Sequence, residues 1–331
     1  MNSVPMPDPA PVAAPLGHPV WCDVTELALL AFDGPDAQAF LQGQLSNDVT
    51  ALDIGRSQWT SYNSPKGRML ASLLLWQSGP QSYRALAASD LVATLVKRLS
   101  MYVLRAKVKV ADLSASFAVI GLGGPGADGV LRAALGAAPR RGEALDIGDA
   151  TAIGLPDGRI VVVTPAAGAV ASRLTGHAAH AQPDVWRWLG VRAGVPLIGA
   201  ATQDLFVPQT ANWDLIGGVN FQKGCYPGQE IVARTQYLGR LKERLQLFHA
   251  DGAPPAPATR LFGEAFGDQA CGMVVNAAPA GGGGCDLLAV VQLAALAAPP
   301  LRLHSATGPA LTPMPLPYVV PDPVAPERPK L

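Results

Sequence analysis

Apolar residues change their spacing along this chain, and that change limits the folds open to it. Up to residue 239, stretches that alternate as strands do are interleaved with stretches at helical spacing. From Leu241 onward only short apolar runs remain, broken by Pro- or Gly-rich segments at 252–258 and 279–284. A helix buries every third or fourth residue and a half-exposed strand every second one, so the first part reads as α+β. The last part reads as a small β-barrel. A length of 331 residues is too much for one ordinary core, and two or three domains are expected. The expected division is a Pro/Ala-rich disordered lead-in over 1–19, a first α+β domain over 20–112 joined by 185–240, a second over 113–184, and a β-barrel domain over 241–331. There is no repeat at solenoid periods.

Local signals fill in this outline. Residues 24–32 are apolar and fit a strand. Asp33 stands where a helix cap belongs, Pro35 falls in the first turn, and Ala37, Phe40, Leu41 and Leu45 repeat at helical spacing, which predicts a helix over 35–45. Strands are predicted at 59–62 and 69–76 around a turn at 64–67. Ser89 and Asp90 are positioned to cap a helix carrying Leu91, Leu95, Leu99 and Tyr102. Further strands are expected at 107–110 and 117–121 and in two runs around Pro156-Asp157-Gly158. Helices are expected at 127–138 and 165–181.

Composition excludes several functions. Lys plus Arg and Asp plus Glu both number 25, so the bulk charge offers nucleic acid no basic surplus, although a local patch stays open. The cysteines at 22, 225, 271 and 285 form no Cys-x-x-Cys pair and have no histidine at metal-finger spacing; neither a disulfide framework nor a metal site is expected. A reduced, cytoplasmic protein is the economical reading. Residues 1–19 lack the basic cluster and apolar core of a targeting segment. The most apolar window, 287–298, is too short to span a membrane and reads as buried strand.

Four features are candidates for chemistry. The run Gly121-Leu122-Gly123-Gly124-Pro125-Gly126 has the look of a dinucleotide loop, but Pro125 removes an amide and no acid follows at the ribose distance, so a plain turn is expected. Cys225 follows Lys223 by two residues and precedes a helix that Pro227 is placed to open. A nearby ammonium and a helix N-terminus both stabilise a thiolate. The alternative is a structural cysteine in a glycine-rich turn. Such a thiol has no local histidine for hydrolysis, and Cys271 or Cys285 would serve as a resolving partner only if the fold brought one close. Trp186 and Trp188 lie in a short helix behind Pro183; at alternate positions at most one is expected in the core, leaving the other to stack on a flat heterocycle. Arg234, Arg240, Lys242 and Arg244 form either a solvated basic face or a seat for anionic ligands.

Residues 206–234, with Lys223-Gly224-Cys225-Tyr226-Pro227-Gly228-Gln229-Glu230 as their core, resemble the signature of the YgfZ family of folate-binding proteins. Phe40-Leu41-Gln42-Gly43-Gln44-Leu45 with Asn47-Asp48-Val49, Pro65-Lys66-Gly67-Arg68-Met69, Arg192-Ala193-Gly194-Val195-Pro196 and Leu316-Pro317-Tyr318 also match, so the resemblance runs from about residue 20 to 320. It implies a three-domain fold like the aminomethyltransferase (T protein) of the glycine cleavage system, with tetrahydrofolate as ligand. It also implies a role in iron–sulfur cluster assembly or repair and, through it, in tRNA thiolation. Iron–sulfur proteins such as tRNA-thiolating enzymes are then the implied partners, with direct tRNA contact left open and no membrane. Cys225 falls on the signature cysteine, with Lys223 beside it. Tyr226, Gln229, Glu230 and Arg234 are the implied ligand-side residues, and Trp186 falls on a tryptophan used against folate. The second such tryptophan is absent: Leu27 stands there, beside Glu26, and Trp21 is a possible substitute.

The aminomethyltransferase carries an acidic pair shortly after a Gly-Gly turn, where this chain has Ala71 and Ser72. Without that carboxylate, proton handling at folate lacks an agent. The leading expectation is a folate-binding accessory protein with Cys225 as functional thiol; the alternative is a folate-dependent one-carbon enzyme of the aminomethyltransferase or demethylase type.

Overall fold

The computed structural model describes residues 16–165, 167–237 and 241–321. They divide into two compact units. One draws on the described residues up to Gln42, on Asp48–Thr60 and on Leu73–Leu189; the other draws on Gly43–Asn47, Ser61–Ser72 and the described residues from Gly190 onward. The expected disordered lead-in lies almost wholly outside the described residues, which begin at Leu16.

The apolar stretch near the start forms two strands, β1 (Val20–Asp23) and β2 (Leu27–Asp33), followed by helix α1 (Ala37–Gln42). Asp33 therefore does not cap the helix. It is the last residue of β2, and its carboxylate accepts a 2.8 Å bond from Arg84. Nor does the helix reach Leu45, whose backbone pairs instead with Tyr62. Strands β3 (Ser57–Asn63) and β4 (Met69–Gly79) flank the expected turn, closed by Ser64 N donating to Arg68 O at 2.8 Å and Gly67 N donating to Ser64 O at 2.8 Å. Strand β5 (Ser82–Ala88) carries no clear signal in spacing because its second half, Ala85 to Ala88, is buried on both faces. Helix α2 (Val92–Met101) buries Val92, Leu95 and Leu99, but Ser89 and Asp90 form a short 3-10 turn ahead of it and neither side chain caps it. Strand β6 (Lys109–Asp112) completes a sheet in the order β3-β4-β5-β2-β6.

A second sheet follows, from β7 (Ala118–Gly123), α3 (Ala127–Leu135), β8 (Ala144–Ile147), β9 (Ala150–Gly154), β10 (Ile160–Thr164), α4 (Ala167–Thr175) and β11 (Ala179–His180). Its order is β11-β1-β7-β10-β9-β8, so residues 20–23 belong to this sheet rather than to the one that follows them in sequence. Alternation along β1 accounts for that placement: Trp21 packs with Ile120, Leu122 and Leu131, while Cys22 packs on the opposite face with Leu29, Trp76 and Val161. The helix expected to run to 181 stops at Thr175, ahead of Gly176, and the chain is extended again at Ala179. Gly121 to Gly123 end strand β7, and the rest of the glycine run, 124–126, is the plain turn into α3. A Cβ at Gly124 (φ +94°) would overlap the His18 carbonyl oxygen, so the chain's own close passage accounts for that glycine.

The last part contains α5 (Pro183–Arg192), α6 (Gln229–Tyr237), and strands β12 (Glu243–Ala250), β13 (Arg260–Phe262), β14 (Ala270–Pro279), β15 (Cys285–Gln292), β16 (Arg302–Leu303) and β17 (Thr312–Met314). These six strands make one antiparallel sheet, β16-β13-β14-β15-β12-β17, curled into a half-barrel. Its concave core holds Phe248, Leu261, Val274, Leu287, Ala289 and Val291. Among the described residues no helix is long and apolar enough to cross a membrane, and no three His, Cys, Asp or Glu side chains converge as metal ligands.

Candidate functional site: a loop that presents Cys225

The segment before α6 is held from below by its lysine. Lys223 is only 7% exposed, and a buried ammonium must be satisfied by acceptors. Its Nζ donates to the carbonyl oxygens of Leu45 at 2.5 Å and Asn47 at 3.1 Å, and stands 5.1 Å from the centre of the Tyr226 ring. The 45–47 loop is fixed in turn: Ser46 Oγ donates to Gly218 O at 2.7 Å and Asn47 Nδ2 to Gly217 O at 2.8 Å. Lys223 thus anchors the loop to its neighbours, a role its place two residues before a cysteine did not suggest.

Cys225 is exposed, whereas Cys22, Cys271 and Cys285 are buried. Burial pushes the Cys22 thiol up to about 12, with the nearby Glu26 carboxylate adding to the effect. Burial also raises Cys271 and Cys285, which sit in the half-barrel core rather than at a surface where they could resolve a disulfide. One thiol per chain is therefore expected to react with a neutral disulfide reagent in the native state, and four after denaturation; a native count of two or more would contradict this burial pattern.

The helix starts at Gln229, two residues later than Pro227 suggested, because Gly228 adopts φ +77° and cannot be helical. Cys225 consequently sits four residues ahead of the first helical residue. Gln229 reaches back, its Nε2 donating to Lys223 O at 3.2 Å, and closes the loop around the cysteine. Tyr226 is buried, and desolvation pushes its phenol up to about 12. An open groove of about 480 Å³ is lined by Cys225, Tyr226, Gln229 and Glu230 together with Pro65, Ile231 and Ala233. Arg234 lies further along α6, exposed in its last turn.

Trp186 belongs to the other unit. Pro183 opens α5 as expected, but both indoles are buried, Trp186 at 4% and Trp188 at 8% exposure, not one alone. A helix covered on more than one side can bury residues that face apart. Trp186 packs among Cys22, Leu29, Trp76 and Ile153. A side chain at Gly121 would overlap its indole, and the Arg159 guanidinium lies 4.5 Å from its ring centre. Leu27 packs against this same cluster. Trp21 does not take that place: it is built into the opposite core and stacks on His180 with ring centres 4.1 Å apart.

Ala71 is fully buried in β4, and the Ser72 hydroxyl accepts a 2.9 Å bond from Ile198 N. That position therefore serves the backbone. The basic stretch separates in space. Arg234 and Lys242 are exposed and Arg240 lies outside the described residues. Arg244 is buried, forked onto Asp214 at 2.8 and 3.2 Å, and also donates to Gln209 O at 2.6 Å. Burial raises the Asp214 carboxyl despite that guanidinium. Asp214 gave no signal in sequence, since its partner lies 30 residues away.

Residues 18–166 match the family model described as the GCVT N-terminal domain. The "tRNA-modifying protein YgfZ" of Enterobacter sp. (strain 638) is 30% identical over 247 residues, covering 73% of this chain and 75% of that protein. The protein of that name from Sodalis glossinidius is 27% identical over 329 residues, covering 96% and 99%. Among solved structures, the glycine cleavage system aminomethyltransferase T from Bartonella henselae superposes with a TM-score of 0.73 at 18% identity, covering 95% of this chain and 89% of that one. The fold is thus that of the aminomethyltransferases. A cysteine loop spelled Lys-Gly-Cys-Tyr-Pro-Gly-Gln-Glu on that fold, and identity sustained over three quarters of a relative, mean that this chain belongs to the YgfZ family.

Proposed function

We propose that this chain is a folate-binding accessory protein in tRNA modification, acting through iron–sulfur cluster assembly or repair, with Cys225 as its functional thiol. The exposure of Cys225 at a groove, against the burial of the other three cysteines, carries the thiol part of this reading. The tRNA part rests on the relatives, which are named for tRNA modification. The fold supports the folate part, since it is the aminomethyltransferase fold.

The unit containing Trp186 has features that fit a pterin. Glu26 Oε2 is buried and makes no hydrogen bond, with Arg187 Nε 3.6 Å away as an ion-pair partner. A buried carboxylate oxygen without a donor is costly, and ring N–H and amino donors of a flat heterocycle would satisfy it. Burial raises the Glu26 carboxyl, in keeping with that unmet need. We assign Glu26 to folate on these grounds and Trp186 to folate on the family resemblance, and Tyr226, Gln229 and Glu230 to the Cys225 groove. A carboxylate at 71–72 is what the one-carbon enzyme reading lacks, and the Ser72 hydroxyl is engaged by backbone.

Tetrahydrofolate titrated into the purified protein is expected to quench tryptophan fluorescence saturably. A flat titration, with no heat of binding by calorimetry, would remove folate from the account.

A further inference from the structure

The turn at 64–67 and the loop at 223–229 are far apart in sequence, yet they touch backbone to backbone. Gly228 (φ +77°) rests on the turn so closely that a Cβ there would overlap Ser64 O and stand 2.5 Å from Gly67 Cα and 2.6 Å from Gly67 N. The fit is reciprocal. A Cβ at Gly67 (φ +70°) would stand 2.8 Å from Ile231 Cβ and 3.1 Å from Gly228 O. Four of these five atoms are backbone, which cannot swing aside as a side chain can. The positive φ at each position adds a second cost to any other residue.

Each half of this contact is closed on itself. Ser64 Oγ donates to Asp204 Oδ1 at 2.7 Å, and Arg68 Nη1 donates to Asp204 O at 3.2 Å, pinning the turn. On the loop side, Gln229 N donates to Tyr226 O at 3.1 Å, Gln229 Nε2 clasps Lys223 O, and Gln209 Nε2 donates to Val232 O at 2.8 Å. The turn also contributes Pro65 to the wall of the groove in which Cys225 stands.

We infer that Gly67 and Gly228 are positioning residues for Cys225: their interlocked backbones hold the 64–67 turn as the second wall of the cysteine groove and fix where the thiol is presented. The inference deepens the reading of Cys225 as the functional thiol. It explains why glycine stands at both places and why Lys223 and Gln229 spend their polar groups on carbonyl oxygens. Neither of those side chains needs to ionise the thiol for the loop to matter.

Alkylation of the native full chain by iodoacetamide, with mass spectrometry assigning each modified cysteine, tests this. Gly67→Ala and Gly228→Ala are each expected to leave Cys225 as the one cysteine modified and to raise its rate about threefold or more, because the Pro65 wall comes away from the sulfur. A rate within about twofold of the natural chain, with Cys225 alone modified, overturns the inference. If a glycine variant modifies all four cysteines it has unfolded, and Gln229→Met decides. That change keeps both glycines, the side-chain length and the local charge but removes the N–H that reaches Lys223 O; a faster rate supports the interlock and an unchanged one overturns it. These rates are independent of whether tRNA thiolation needs the thiol, so a Cys225→Ala chain that sustains thiolation would refute the functional reading without touching them.

Discussion

Asp214→Ala is expected to lower stability by about 3–5 kcal/mol, read as a shift of the urea unfolding midpoint at unchanged slope. Asp214 and Arg244 have side chains only 8% exposed each, and they meet through two parallel hydrogen bonds. The Arg244 guanidinium also closes on the Gln209 carbonyl, whose own side chain holds α6 through Val232 O. Removing the carboxylate leaves a buried cation with its main acceptor gone, which costs more than the pair itself contributes. The double change Asp214→Leu with Arg244→Met should recover most of the loss, because two apolar groups of similar size need no partner. A single variant that costs less than about 1 kcal/mol would contradict the burial of this pair.

Trp186→Ala is expected to destabilise the chain by about 3–5 kcal/mol, since an indole leaves a packed cluster containing Cys22, Leu29, Trp76 and Ile153. It should also abolish the folate-dependent quench. Trp186→Phe separates the two effects. A phenyl ring keeps most of the core volume and still faces Arg159, so the stability cost falls to about 1–2 kcal/mol while folate binding weakens roughly tenfold. Equal folate affinity in the natural chain and Trp186→Phe would remove the indole from the binding account.

Much of the fold could be read from spacing, and the misses have definite causes. The hairpin around 64–67 and the strands around Pro156-Asp157-Gly158 carry Pro/Gly turns between apolar runs, so both were legible. The span 85–88 has no apolar/polar alternation, because that half of β5 is buried on both faces of the sheet. Asp33 has the residue type and position of a helix cap, but pairing with Arg84 across the sheet decides its place. That is long-range information no local window contains.

The site divides the same way. Cys225 was legible as a distinctive residue in a glycine-rich loop, and its exposure was not. Lys223 looked like the partner of the thiol, and only the fold reveals the carbonyl oxygens of Leu45 and Asn47 that it holds. Gly67 looked like an ordinary turn glycine, and its contact with Gly228 crosses nearly half the chain. Resemblance to the YgfZ signature supplied what spacing could not, the class of ligand and process to ask about.

The most direct measurement is the level of thiolated tRNA in a strain lacking its own copy of such a protein and carrying either the natural chain or Cys225→Ala at equal abundance. Cys225 is exposed, so its truncation should change stability by no more than about 0.5 kcal/mol, and any effect on function is chemical rather than a failure to fold. The account predicts that the natural chain restores thiolation and iron–sulfur enzyme activity while Cys225→Ala leaves both at the level of the empty strain. Full restoration by Cys225→Ala would contradict it.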